Sequence, residues 1–259
     1  MKKVKNQVII QARMGSTRLP GKVLLPLNNK PILEYVVYRA GKAAKVDRVV
    51  VATSDQPEDD AIEKWCEDNK VSCVRGSSAD VLDRYLKAES CFPCENIVRI
   101  TADCPVVDPG IIDSLIALHE ETAADYSSNE VPPTFPCGFD TEVVRADVLR
   151  KVGKIASLKS HREHVTLYIR ENTKDFKIVN LDSEIQAQNV RLCVDRPEDY
   201  EALKLLFSKF QPGEMLFSYY QILEILQRFP EILQLNSGID RFEGVKKSAR
   251  EENRKLAWE

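Results

Sequence analysis

Hydrophobic positions along the chain follow two alternating periods. Short apolar, β-branched runs at Val8-Ile9-Ile10, Val49-Val50-Val51-Ala52, Ile97-Val98-Arg99-Ile100, Phe176-Lys177-Ile178-Val179 and Arg191-Leu192-Cys193-Val194 predict strands. Between them, apolar residues return every three or four positions. The clearest case is Ile32, Leu33, Val36, Val37 and Ala40 behind Pro31, a proline suited to a first helical turn. Further helices are expected over 57–69, 79–90, 109–122, 161–172 and 197–210. Such alternation predicts an α/β fold, a mainly parallel sheet with helices over it. It stops at Gln211-Pro212-Gly213, so residues 1–210 form the expected main domain and 211–259 a C-terminal helical extension. That extension holds a helical stretch over 217–228, then Asn236-Ser237-Gly238 and a charged tail over 246–259, packing on the core or on a second copy. A proline-rich loop over 129–140 is long enough for a lid or a binding loop.

Composition changes this picture little. With 259 residues and 43% hydrophobic content, the chain can bury a sizeable core. No run approaches the roughly 18 apolar residues of a membrane span. The apolar run after the basic start is too short for a secretion signal. A cytoplasmic protein without membrane insertion is therefore expected. Seven cysteines, an odd number, suggest reduced thiols. The close pair Cys91-Phe92-Pro93-Cys94 closes a helical pattern instead of opening one and has no second ligand pair, so it reads as a loop rather than a redox or zinc motif. The third histidine, His119, falls on a surface-type helix without evident function.

Charge is more informative than composition. The net charge is −3, yet the first fifty residues carry eleven basic and two acidic side chains. A basic beginning on an acidic chain suits a small anionic ligand and argues against a nucleic-acid partner. The segment Gln11-Ala12-Arg13-Met14-Gly15-Ser16-Thr17-Arg18-Leu19-Pro20-Gly21-Lys22 follows the first strand directly. In a parallel sheet the carboxyl ends of the strands border the ligand crevice. Gly15 and Gly21 let backbone amides face an anion, and Arg13, Arg18 and Lys22 surround it with cations, which is the chemistry of a triphosphate cradle. It is not a Walker A loop. Five residues separate Gly15 from Gly21, and Val23 stands where a Mg²⁺-binding hydroxyl belongs.

This segment resembles the signature loop of the sugar-acid cytidylyltransferases, which make CMP-activated 3-deoxy sugar acids. Val50-Val51-Ala52-Thr53-Ser54-Asp55, Arg75-Gly76-Ser77, Asp80-Val81-Leu82-Asp83-Arg84-Tyr85, Thr101-Ala102-Asp103-Cys104-Pro105 and Arg162-Glu163-His164-Val165-Thr166 are similar to the branch of spore coat polysaccharide protein F. The likeness runs over about residues 5–210. It implies a Rossmann-like three-layer sandwich of the nucleotide-diphospho-sugar transferase type, with helices on both faces of the sheet. It also implies attack of an acceptor hydroxyl on the α-phosphorus of CTP, with loss of pyrophosphate, and a homodimer.

Residue by residue, the resemblance assigns Arg13 and Lys22 to the phosphates, supported by Gly15, Ser16 and Arg18, and makes Arg13, Lys22 and Asp103 the catalytic set. Gln11 and Ala12 approach the base through their backbone, and Arg75, Asp83 and Arg84 read base or ribose. Asp103 and Asp195 match the family's Mg²⁺ positions, and both fall at carboxyl ends of predicted strands, where their side chains can converge. Asp195 could equally cap the helix that follows. For a sugar-acid acceptor, His161 and His164 stand at i and i+3 with Arg162 between them, and Asp140 and Glu142 follow the proline-rich loop. Loss of Lys22 or Arg13 should lower turnover with little loss of stability, both lying on a solvated loop. A nucleotide-sugar-dependent glycosyltransferase and a non-catalytic nucleotide-binding partner are the competing readings.

Overall fold

Strand β1 (Asn6–Gln11) runs through the middle of a seven-stranded sheet. The computed structural model describes residues 4–256. Residues 1–3, with Lys2 and Lys3 of the basic start, and 257–259, the end of the charged tail, lie outside the described residues. A small hairpin of β2 (Pro26–Leu27) and β3 (Lys30–Pro31) leads into α1 (Ile32–Ala40). Then follow β4 (Arg48–Ser54), α2 (Asp60–Asp68), β5 (Ser72–Gly76), α3 (Val81–Cys91), β6 (Asn96–Thr101) and α4 (Pro109–Thr122). The second half continues with β7 (Tyr126–Ser128), β8 (Glu142–Arg145), α5 (Ala146–Ile155), α6 (Lys159–Glu163), α7 (Leu167–Glu171) and β9 (Ile178–Asn180). Last come α8 (Pro197–Phe207), α9 (Tyr219–Arg228), α10 (Glu231–Gln234) and α11 (Glu243–Glu251).

The sheet order is β5-β4-β1-β6-β8-β7-β9, and β8 alone of the seven runs antiparallel. Alternation along β1 builds three layers, because successive side chains leave opposite faces of a strand. Val8 and Ile10 face α1, α2 and α4, packing with Val36, Ile62 and Leu115. Ile9 faces the other side, with Tyr85 of α3 and Leu149 of α5. Each of these β1 side chains is fully buried, contributing about 1.5–3 kcal/mol. The α/β expectation holds, with helices on both faces.

Local chemistry sets the helix ends. Asp108 caps α4 by accepting the amides of Gly110 and Ile111 at 2.7 and 3.1 Å, with Pro109 in the first turn. Ser218 and Gln221 form a reciprocal capping box at the start of α9.

Four expectations change. Arg191-Leu192-Cys193-Val194 is not a ladder strand; it makes one parallel bridge, between Arg191 and Cys137. The expected helix over 161–172 is two, because Val165 takes φ 51° between α6 and α7. His119 is buried, not on the surface, with Nδ1 2.9 Å from Ser127 Oγ. The loop over 129–140 is stitched down and is no free lid: the Cys137 amide donates to Val190 O at 2.9 Å and the Leu192 amide to Cys137 O at 2.7 Å. Gly138 permits that approach. It has φ +110°, and a Cβ there would lie 2.7 Å from the Leu192 carbonyl.

Residues beyond 210 pack on the main core. Phe217, Tyr219, Ile222 and Ile232 pack with Leu192, Val194 and Phe207. Arg39 of α1, fully buried, locks them in place. Its guanidinium donates to the carbonyls of Val106, Val107, Met215 and Phe217 and lies 4.3 Å from the Phe217 ring centroid. Burial lowers its pKa to about 10.

Candidate active site

At the carboxyl ends of β1 and β6 lies a cavity of about 620 Å³. The loop after β1 forms one wall, folded around the Met14 carbonyl, which accepts the amides of Ser16 and Gly21 at 2.8 and 2.9 Å. Those two amides hold the loop's own shape instead of facing the cavity. Gly21 takes φ 69°, a left-handed turn suited to glycine. Asp59, fully buried, pins the loop to β4. It accepts the Met14 amide at 2.6 Å, the Ser54 amide at 3.0 Å and the Ser54 hydroxyl. Sequence reasoning missed Asp59, whose only local mark is its place in an acidic run before a helix.

The loop delivers Lys22 to the cavity floor. Its Nζ sits 2.6 Å from Asp103 Oδ2 and 3.0 Å from Asp195 Oδ1. Burial by itself lowers the Lys22 pKa, but the two carboxylates outweigh it and hold the ammonium charged above its ordinary range. Burial would raise the Asp103 carboxyl; Lys22 overrides this and lowers it to about 2. Arg18 pairs with Asp195 from the other side. Lys22 is only 8% exposed, which corrects the expectation of a solvated residue whose loss leaves stability intact.

Backbone geometry joins the two acids. The Val194 amide donates to the Asp103 carbonyl at 2.8 Å, so the segment before Asp195 runs beside the end of β6. Asp195 is not the helix cap. That work falls to Asp199, fully buried, which accepts the amides of Asp195 and Arg196 at 3.0 Å and pairs with Arg191 at 2.8 Å.

The pair fits a hard divalent ion on its own chemistry: two converging carboxylates, one of which Lys22 keeps ionised down to about pH 2. Among the described residues no group of three or more His, Cys, Asp or Glu side chains is arranged to hold a metal. Mg²⁺ needs no such cage, since it binds through one or two carboxylates plus phosphates and water.

Gln11, Ala12, Arg13, Ser16, Arg18, Lys22, Arg84, Asp103, Asp140, His164 and Asp195 of the expected set line the cavity. The Ala12 amide donates to Ala52 O at 3.1 Å and the Gln11 carbonyl accepts from Ala102 at 3.0 Å. These backbone groups belong to the sheet, and Gln11 offers its side-chain Oε1, which is unpartnered. Arg84 is 2% exposed with Nε and Nη1 unpartnered; burial, and then the like charge of Arg13, lowers its pKa.

Gly15, Arg75, Asp83, Glu142, His161 and Arg162 lie outside the lining. Arg75 is drawn onto α2 by Asp60 and Glu63, each at 2.6 Å. The Asp83 amide donates to the Asp80 cap at 2.8 Å and its side chain is on an exposed face. Arg162 also goes to Asp80, with Nε at 2.8 Å and Nη2 at 2.6 Å. His161 meets Glu171 at 2.7 Å, so the two histidines do not share the cavity. Glu142 is fully buried behind the wall, where it pairs with Arg99 and accepts the Tyr126 hydroxyl at 2.6 Å. Arg99 does line the cavity, as do Arg191 and Arg241, none of them expected. Three thiols line it as well: Cys137 Sγ lies 3.1 Å from Cys193 Sγ, and Cys104 stands beside Asp103. Burial pushes the Cys104 thiol up.

Comparison with known proteins agrees with this architecture. A family model described as Cytidylyltransferase matches residues 7–228. Spore coat polysaccharide biosynthesis protein SpsF of Bacillus subtilis (strain 168) is 38% identical over 231 residues, 86% of this chain and 94% of that one. An 8-amino-3,8-dideoxy-manno-octulosonate cytidylyltransferase of Shewanella frigidimarina is 32% identical over 126 residues, 48% of this chain and 51% of that one. A solved cytidylyltransferase from Leptospira borgpetersenii superposes with a TM-score of 0.85 at 36% identity, covering 92% of this chain and 100% of that one. In this chain a cationic loop and two carboxylates, Asp103 after β6 and Asp195 on the arm beside it, meet in one cavity at the carboxyl edge of the sheet. The chain belongs to the cytidylyltransferase family, enzymes that draw on CTP.

Proposed function

We propose that the chain is a Mg²⁺-dependent enzyme that transfers CMP from CTP to a sugar acid with release of pyrophosphate, for surface polysaccharide synthesis. The observation that carries this reading is Lys22 Nζ seated between Asp103 and Asp195, with Arg18 on the latter. These are the charges that an in-line displacement at phosphorus needs close together. Lys22, Arg18 and Arg13 take the phosphate oxygens, and Asp103 and Asp195 would hold the metal. Bound Mg²⁺ supplies neutralisation of phosphate charge. Arg84 and the Gln11 side chain face the nucleotide. The acceptor hydroxyl forms its bond to the α-phosphorus as the bond to pyrophosphate breaks. The relative that names a manno-octulosonate supports an acid of that class.

Thermal unfolding with Mg²⁺ and each of CTP, UTP, ATP and GTP tests this, on wild type and Asp103→Asn. A ligand at a hundred times its Kd adds about 2.7 kcal/mol, a shift of several degrees. The expected result is a CTP-selective rise that shrinks in the variant. Equal shifts with all four nucleotides, or a shift indifferent to Asp103, would overturn the assignment.

A further inference from the structure

The family match ends at residue 228, yet the cavity does not. Arg241, Val245, Lys247, Ser248 and Glu251 supply part of its lining. Polar contacts fix this segment at several points. Arg241 pairs with Asp140 at 2.5 Å and donates to the Phe135 carbonyl at 3.1 Å. Glu243 pairs with Arg196 at 2.6 Å and stands 3.9 Å from Arg18 of the phosphate loop. The Ser248 hydroxyl donates to Glu163 at 3.1 Å and lies 2.9 Å from His164 Nε2. Just past α11, Glu252 accepts the Ser160 amide and hydroxyl at 2.7 and 2.6 Å. Apolar support is small: Leu167, Ala249 and Leu256, with Val245 packed against them.

The cavity thus has two walls, one within the residues matched by the family model and one beyond them. The wall with Arg13 and Arg84 lies inside the family match, as does the floor of Asp103, Asp195 and Lys22. The wall from α11 lies outside it and meets α6, whose Lys159 and Glu163 also line the cavity. This second wall is almost wholly polar. Lys159 and Lys247 flank Glu251 at 4.0 and 3.8 Å, and their side chains remain 74% and 70% exposed. Those ammonium groups are held loosely and can turn to a ligand at little cost. Burying charges and hydroxyls against an apolar ligand would leave them unmatched, whereas hydroxyl, carboxylate and amino groups would pair with them.

We propose that residues 241–251 form the acceptor-recognising wall and select sugar acids whose free end carries hydroxyl or amino groups. Ser248, with His164 and Glu163, reads hydroxyls; Lys247 and Glu251 read charge. The proposal rests on the reading of the site as a sugar-acid cytidylyltransferase. It adds the segment that distinguishes one acid from another.

Pyrophosphate release, measured at varied CTP and varied acceptor, tests it. The probes are 3-deoxy-manno-octulosonate and 8-amino-3,8-dideoxy-manno-octulosonate, which differ at one end of the molecule. Lys247→Glu changes an exposed side chain and Ser248→Ala removes one hydroxyl. Each should raise the acceptor KM by about tenfold and change the preference between the two acids by about threefold, with the CTP KM within about twofold of wild type. A purely structural role would move both KM values or neither. Unchanged acceptor KM in both variants, or a parallel rise for CTP, would overturn the wall assignment while leaving the enzyme's activity established. Wild type that binds CTP but turns over neither acid would remove the acceptor class on which the wall depends. Wild type without CTP binding would remove the underlying reading itself.

Discussion

Lys22 shows what a residue's neighbours add to its place in a motif. Read along the chain it is one of three cations on a loop; in the fold it is the single charge between two carboxylates. Lys22→Ala should therefore lower turnover by at least about 100-fold and also cost about 2 kcal/mol, because the variant takes from Asp103 its ammonium partner and leaves Asp195 to Arg18 alone. Pyrophosphate release and urea unfolding check the two halves, and wild-type stability in the variant would contradict the pairing. The place of Asp103 was legible because the end of β6 is marked by short-range pattern; that of Asp195 came with the family resemblance, since the run before it is no ladder strand. Arg75, His161 and Arg162 were not legible, since their partners are set by tertiary packing: Asp60 and Glu63 for Arg75, Glu171 for His161 and Asp80 for Arg162.

Among the elements, long strands with β-branched runs were readable and short mixed ones were not. β5, Ser72-Cys73-Val74-Arg75-Gly76, and β7, Tyr126-Ser127-Ser128, have too little apolar period to stand out. The run 191–194 has the composition of a strand, yet Asp199 and the Cys137 bridge hold it as an extended arm. Gly138 lets that arm lie against the proline-rich loop. Gly138→Ala should push the Leu192 carbonyl away, displacing Asp195, and reduce turnover by at least about tenfold; activity close to wild type would show that the arm adapts. Helix α4 carries a pH dependence of its own. Burial lowers the His119 pKa from 6.5 to about 4. The unfolded chain then binds the proton first, so stability is full above about pH 6.5 and falls as pH drops to about 4, by about 3 kcal/mol. His119→Gln should flatten that part of the curve of stability against pH, and an unaltered curve would place the proton elsewhere.

For the molecule as a whole, the extension expected after residue 210 packs against the main core. Arg39 joins α1, the turn before α4 and the segment before α9 through four carbonyls. Arg39→Met keeps the volume but deprives those carbonyls of donors, so a loss of about 3 kcal/mol or more and a melting point several degrees lower are expected. A melting point unchanged by the substitution would mean that apolar packing alone, through Phe217 and Ile222, holds the extension. The break in β-α alternation was visible in the sequence. The reach of α11 back to the cavity was not, because it depends on single polar pairs such as Arg241 with Asp140 and Glu252 with Ser160.

The pairing of Lys22 and Arg18 with carboxylates also bears on how a turnover ends. In the structure, each of these cations rests on a carboxylate. On the proposed reaction, loss of metal and pyrophosphate together would return Lys22 and Arg18 to Asp103 and Asp195 without leaving either set of charges bare. The last step is then an exchange of partners, and the site that grips a highly charged product also carries the means of letting it go.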